Sequence, residues 1–412
     1  MQTSKGHLTY CTNIHPGETW TDHFRILKQN IPLIKKKVCP VQPFGIGLRL
    51  ANAASLELRK QENLEEFQQW LGENNCYVFT MNGFPYGGFH HSIVKDQVHA
   101  PDWLSADRVA YTIRLAQILA SLIPEGIDGG ISTSPLSYKF WHKDDQLPEV
   151  FETATFNLLQ VLDQLIQINR ATGKLIHIDI EPEPDGLLGN GKEFLQWYLQ
   201  YLLPLGIPYI QDRYNINEDE AASVIREHIQ LCYDVCHFAV GYEDHAHMVE
   251  QLRSLGIKTG KIQISAALRS KMPAQTQERK NFIEAFQKFN EPVYLHQVVA
   301  RKEDGQLVRY RDLNLALDDA MNLEITEWRA HYHVPLFVSS YGMLHSTRSD
   351  IEKVLTIQDH SMFTFHLEIE TYTWEVLPED MRLPVAESII REIQWVIDII
   401  KHESTHTGQA YA

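Results

Sequence analysis

The sequence predicts an α/β protein folded as a closed (β/α)8 barrel, on three observations. Short apolar runs alternate with longer segments whose apolar residues recur at helical spacing, from about His7 to Ile400. The connections are short, which calls for a parallel sheet covered by helices. Eight such repeats call for closing that sheet into a TIM barrel.

The first strand is read over His7–Ile14, with a helix from Trp20 to about Lys37 behind it. Gly45–Leu50 is strand two, followed by a helix over Ala53–Glu73, and Cys76–Met81 is strand three, running into Asn82 and a Gly/Pro-rich loop. Ser105, with Asp107 behind it, starts a helix through Leu122. Gly129–Thr133 and Leu175–Ile180 are strands four and five, separated by a helix over Leu147–Arg170. Helices near Gly191–Leu203 and Asn217–His228 lead to strand six at Ile229–Asp234; a helix at His245–Leu255 precedes strand seven at Lys261–Ser265. Strand eight is Phe363–Ile369, and Pro384–Ile400 is the closing helix.

The long stretch between strands seven and eight exceeds a bare loop. Residues 270–360 are therefore expected to be an α+β insertion, with Pro292–Val299 and Leu307–Arg311 as a hairpin about the Asp304-Gly305 turn. The chain, 1–412, is expected to be a single TIM-barrel domain, because barrels absorb such lengths around one core.

Composition narrows the function. With 37 Lys+Arg against 53 Asp+Glu, the formal charge of −16 repels phosphate backbones, so nucleic acid is not an expected partner. Lys35-Lys36-Lys37 is the one basic run, and it sits where cations suit a helix C-terminus. The five cysteines are odd in number and scattered, which reads as reduced thiols. No signal-peptide h-region and no run of 18 apolar residues is present, so the expected location is the cytoplasm.

In such barrels the carboxyl ends of the strands form the active face. Strand five ends in Glu181-Pro182-Glu183, strand six in Asp234-Val235-Cys236-His237, and strand eight in Glu370. The same face receives Asn13, Asn82 and Gln263. One strand-end glutamate could as well cap a helix or pair with Arg213 or Arg269. Several carboxylates crowded together would raise one another's pKa, whereas a divalent ion favours their ionised forms. Mn²⁺, Mg²⁺, Zn²⁺ and Fe²⁺ all suit this mixed O/N set. His331 and His333 alternate as in a strand and either complete the ligands, hold a substrate hydroxyl or form an ordinary polar strand face. Trp103 and Trp374 are loop aromatics that could stack on a ligand or simply pack, and His177 and His366 read as satisfied core groups.

The strand-five Glu181, the Asp234-x-x-His237 of strand six and the strand-eight Glu370 resemble the metal-site pattern of the xylose-isomerase-like TIM barrels. More narrowly, Pro101-Asp102-Trp103, Ile131–Tyr138, His331-Tyr332-His333-Val334-Pro335 and the motif from Leu367 to Pro378 resemble the EboE proteins of metabolite traffic. The first resemblance implies a sugar, polyol or hydroxy-carbonyl isomerase or epimerase. Glu181, Asp234, Glu370 and a fourth group would hold the ion, either the Gln263 amide or an imidazole from His331 or His333. Glu181 and Glu370 would move a proton on and off carbon, and His237 would orient a hydroxyl. Asn13, Asn82, Trp103, Glu183, His331 and Trp374 would meet the substrate. The second resemblance implies a metabolite-binding protein with a membrane-protein partner. The departure is Gln263, an amide where the epimerases carry a strand-seven imidazole. A phosphoesterase of the type IV endonuclease kind would need a basic cleft, against which the charge weighs.

Overall fold

The computed structural model describes residues 1–89, 94–375, 377 and 382–407. Val376 and Pro378, at the end of the strand-eight motif, lie outside the described residues.

Eight parallel strands form the barrel: strand one Gly6–Tyr10, two Phe44–Arg49, three Cys76–Asn82, four Gly129–Thr133, five Ile176–Ile180, six Ile229–Asp234, seven Thr259–Ile264 and eight His366–Ile369. Each pairs in parallel with its sequence neighbour from two through eight, and strand eight returns to strand one. The seam between strands one and two is closed mainly by side chains. Thr9 Oγ1 donates to the Gly45 carbonyl at 2.8 Å and accepts from Gly47 N at 3.0 Å, beside a single Cys11–Gly47 bridge. The hydroxyl thus serves both a donor and an acceptor that a continuous ladder would have paired.

The inner strands alternate in a way that sets up everything at the mouth. In Ile176-His177-Ile178-Asp179-Ile180-Glu181 the isoleucines are buried with the core cluster, while His177, Asp179 and Glu181 point into the barrel. Strand eight does the same with His366, Glu368 and Glu370. The barrel is therefore filled by a stack of polar side chains, where a packed barrel ordinarily holds branched aliphatics. At mid-height Lys261 Nζ bonds Glu368 Oε2 at 2.8 Å and the Met81 carbonyl at 3.1 Å, with both side chains fully buried. Gly47 makes room for this pair, since a Cβ there would fall 2.0 Å from Glu368 Oε1.

The helices follow their end signals. Thr19 caps Trp20–Val38 by accepting from Asp22 N, and Lys35 Nζ donates to the Cys39 and Gln42 carbonyls at its far end. The basic run thus serves the helix terminus. The single helix expected over Ala53–Glu73 is two, Asn52–Leu58 and Gln61–Glu73, with Lys60 extended between them and the Glu57 carbonyl at the break accepting from both Lys60 N and Asn63 Nδ2. His245, at a helix start, is buried against Tyr233 Oη at 2.8 Å.

Between strands seven and eight the chain builds a six-stranded antiparallel sheet in the order Leu307–Tyr310, Val298–Lys302, Ile325–Ala330, Leu268–Lys271, Leu344–Ser346, Ser340–Tyr341. The hairpin about Asp304-Gly305 is present, but its first strand begins at Val298, and residues 292–297 are irregular. Arg348–His360 packs against the closing helix Val385–Thr407 as a barrel helix. All five cysteines are buried free thiols. No helix among the described residues is long and apolar enough to cross a membrane.

Glu392, on the closing helix, is buried and accepts from Thr371 Oγ1 at 2.8 Å and Leu336 N at 3.2 Å. Burial pushes its carboxyl up to about 8. The folded chain then holds a proton that the unfolded chain releases near pH 4, so this contribution is complete at acid pH and is lost as pH rises toward 8. Glu392→Gln should remove that loss, on the order of several kcal/mol, and flatten the decline in stability from pH 5 to 9, read by denaturant titration at each pH.

Candidate metal centre

The strand ends bring Glu181, Asp234 and Glu370 together. One carboxylate oxygen from each lies within 4.8 Å of the others, and all three residues are buried. Residues from four strands and from the insertion surround them, because each inner alternation ends in a polar residue at the same rim.

Asp234 divides its oxygens. Oδ1 accepts from His237 N at 3.1 Å, capping the short helix Val235–Val240, and from Ser265 Oγ at 2.6 Å. Oδ2 is buried without a hydrogen-bond partner. Glu370 Oε1 accepts from Asn13 Nδ2 and Asn82 Nδ2, each at 2.8 Å, which orients the carboxylate from strands one and three. Glu181 has only poor partners, His237 Nδ1 at 3.6 Å and Cys232 Sγ at 3.8 Å. Burial first, then Glu370, Asp234 and Glu183, holds Glu181 well above the ordinary carboxylate range; burial, then Asp234 and Glu368, does the same to Glu370. Neither glutamate meets Arg213, which pairs with Asp163.

The imidazoles are held in a common way. His333 Nδ1 is 2.9 Å from the Glu370 carbonyl, and His237 Nδ1 is 2.9 Å from the Pro182 carbonyl. His331 Nδ1 is 2.8 Å from Gln297 Oε1, whose Nε2 donates to the Pro184 carbonyl and so fixes the amide. In each case Nδ1 carries the proton and Nε2 presents a lone pair to the centre, the arrangement of metal-ligating histidines. Burial and the neighbouring histidines press His331 well below its ordinary range; burial leads the same shift in His333. His333 Nε2 has no partner and groups with Asp234 and His237 within 4.8 Å. His237 Nε2 and His331 Nε2 face each other at 3.1 Å, two lone pairs that need a cation or a proton between them. Glu183, with Oε1 2.8 Å from His99 Nε2, joins that pair as an adjoining trio of donors.

Unpartnered Asp234 Oδ2 and His333 Nε2, three crowded carboxylates and bare Nε2 atoms fit a divalent cation. Glu181, Asp234, Glu370 and His333 would hold it.

Above this set lies a cavity of about 60 Å³, lined by Asn13, Asn82, Glu181, Glu183, His237, His331, His333 and Glu370. Its remaining wall includes Phe84, Phe89, His99, Tyr294, Gln297 and Tyr372. His331 and His333 come from irregular backbone after the Ile325–Ala330 strand, yet both face the cavity, while Tyr332 between them stacks on His296.

Four of the residues expected at the site stand off the cavity wall, and one of them, Asp234, is still within reach of Glu181 and Glu370. Gln263 Oε1 is taken up by the Cys232 thiol at 2.6 Å. Trp103 is fully buried, with Nε1 donating to Thr133 Oγ1 at 3.2 Å, and Trp374 stacks on Phe337 in the core. Loop aromatics that follow strand ends satisfy packing before ligands. Conversely, Tyr372, Tyr294, Gln297 and His99 line the cavity, the last three without any spacing pattern to announce them. Tyr372 alone carried a signal, two residues beyond the strand-eight glutamate.

No protein-family model and no curated protein matches the chain. Among solved structures, it is similar to L-ribulose 3-epimerase, at 10% identity and a TM-score of 0.49 over 99% of this chain and 98% of that one. It is also similar to a xylose isomerase-like TIM barrel protein from Mycobacterium smegmatis in complex with magnesium, at 11% identity and a TM-score of 0.47 over 92% and 89% of the two chains. A third similarity, at 11% identity and a TM-score of 0.46 over 97% and 99%, is to the IolI protein with a bound zinc atom.

Proposed function

We propose that the barrel mouth is a divalent-metal site that isomerises or epimerises a small hydroxy-carbonyl or polyol substrate. The observation that carries this reading is the convergence of the buried Glu181, Asp234 and Glu370, with His333, whose Nε2 has no hydrogen-bond partner among the described residues, gathered on Asp234. When bound, the cation would polarise a substrate carbonyl and lower the pKa of an adjacent hydroxyl. Glu181 and Glu370, both facing the cavity, are suited to taking a proton from carbon and returning it. Asn13 and Asn82 keep Glu370 in one orientation, and His237, its Nδ1 anchored on Pro182, presents Nε2 to a substrate hydroxyl. The aromatic wall of Phe84, Phe89, Tyr294 and Tyr372 excludes water from the reacting atoms.

A second reading is a metabolite-holding protein without turnover, in line with the EboE-like motifs and their implied membrane partner. Strand seven favours it, since Gln263 is bound to Cys232 where an imidazole ligand would stand. Turnover of a panel of ketoses and polyols by the metal-loaded protein separates the two. Catalysis lost in Glu181→Gln and Glu370→Gln supports the enzyme. Small-molecule binding that survives both substitutions, with no turnover in the parent protein, supports the holder.

Metal should also register as stability. A cation at about 100 times its dissociation constant stabilises by roughly 2.7 kcal/mol. Adding Mn²⁺ or Zn²⁺ to chelator-treated protein should therefore raise its melting temperature by a few degrees, checked by scanning calorimetry.

A further inference from the structure

At the opposite end of the barrel, where the strands begin, a second group of metal-capable side chains gathers. Asp128 directly precedes strand four, His177 lies on strand five and His366 opens strand eight. His177 Nε2 is 3.5 Å from Asp128 Oδ2, and His366 Nε2 is 3.1 Å from Asp128 Oδ1; one ligand atom from each residue lies within 4.8 Å of the others. Both histidines are buried, while the Asp128 side chain is 34% exposed. A solvent-facing cleft lined by His7, Asp128, Lys174 and Phe365 leads to it.

The surroundings are those of ligating imidazoles. His177 Nδ1 lies 2.5 Å from Asp179 Oδ1, a carboxylate–histidine pair that fixes the ring and leaves Nε2 to point at Asp128. His366 Nδ1 and Asp179 Oδ2 are both buried without partners. Gly130 packs against both: a Cβ there would sit 2.7 Å from Asp179 Oδ2, 2.7 Å from His177 Cε1 and 3.0 Å from His366 Nδ1, so this position admits no side chain.

We propose that Asp128, His177 and His366 form a second divalent-cation site, of the two-imidazole, one-carboxylate kind that suits zinc, with the fourth position open to the cleft. It joins strands four and five, which pair directly, to strand eight, which is far from them in the chain. Its role is structural, because the floor of such a barrel serves stability. The rival occupant of His177 Nε2 is a proton, which would leave an imidazolium between two aspartates and bind no metal.

The test uses the full chain carrying Asp234→Asn, Glu181→Gln and His331→Gln, which take at least one member from every group of metal-capable donors at the mouth. Equilibrium dialysis with metal analysis should find one Zn²⁺ per chain, and Co²⁺ should give the visible absorption of a four-coordinate site. Adding His366→Gln should take zinc from one equivalent to none and abolish the Co²⁺ band. Asp128→Asn, at a partly exposed position where folding is at little risk, should weaken binding at least tenfold. A mouth-disabled chain that binds no zinc, or zinc binding that both floor substitutions leave unchanged, would overturn the proposal. Floor substitutions in the otherwise unaltered chain should leave metal binding at the mouth intact, so the two sites succeed or fail separately.

Discussion

In the presence of a chelator, Glu181→Gln and Glu370→Gln should each make the protein more stable, while each destroys its affinity for metal. Glu181, Asp234 and Glu370 are buried within reach of one another, and among the described residues the Glu181 side chain has no hydrogen-bond or ion-pair partner closer than 3.6 Å. Without a cation, burial and mutual repulsion are paid in stability, so an uncharged amide of the same shape should gain roughly 1–3 kcal/mol, the scale of an unsatisfied buried polar group. With a cation present the sign reverses, because a ligand is gone. Losing an outer partner of a metal site costs about 10–100-fold in affinity, and losing a ligand should cost at least that. Denaturant unfolding in chelator and in saturating Mn²⁺ reads both signs. Destabilisation of the metal-free variants, with the metal-induced gain unchanged, would show that the carboxylates are structural pairs.

The second large effect lies one layer below. Lys261→Met should cost about 3–5 kcal/mol, because it strands the Glu368 carboxylate at a fully buried position. Glu368 Oε1 already lacks a hydrogen-bond partner, so nothing else in the barrel compensates the charge. Lys261→Met with Glu368→Leu should recover most of that loss, since a buried pair often exchanges for apolar residues at little cost. Equilibrium unfolding of the two single variants and the double variant decides it. A single-variant loss below about 1 kcal/mol would mean that the pair is solvated.

Much of this was legible in the residues. Strand and helix periods are local, and they fixed the eight-fold alternation and the strand ends, including Asp234-x-x-His237 and the two glutamates. The polar interior was legible too, in Ile176-His177-Ile178-Asp179-Ile180, but only once closure is known. A histidine inside an apolar run looks like a core group until the barrel sets it opposite another strand's carboxylate. What the sequence hid was set by distant chain segments. The insertion's sheet recruits Leu268–Lys271 directly after strand seven, and it delivers His331 and His333 on irregular backbone, although their alternation reads as a strand. Gln263 occupies the position read for a ligand, yet a neighbouring thiol claims its oxygen. Trp103 and Trp374 were drawn into the core by their area.

The central claim is that one cation gathers the strand-end carboxylates, and anomalous diffraction from crystals grown with Mn²⁺ addresses it directly. The expected result is a peak about 2.0–2.3 Å from oxygens of Glu181, Asp234 and Glu370 and from His333 Nε2. A map with no peak there, and with Asp234 Oδ2 hydrogen-bonded to a protonated glutamate instead, would contradict it.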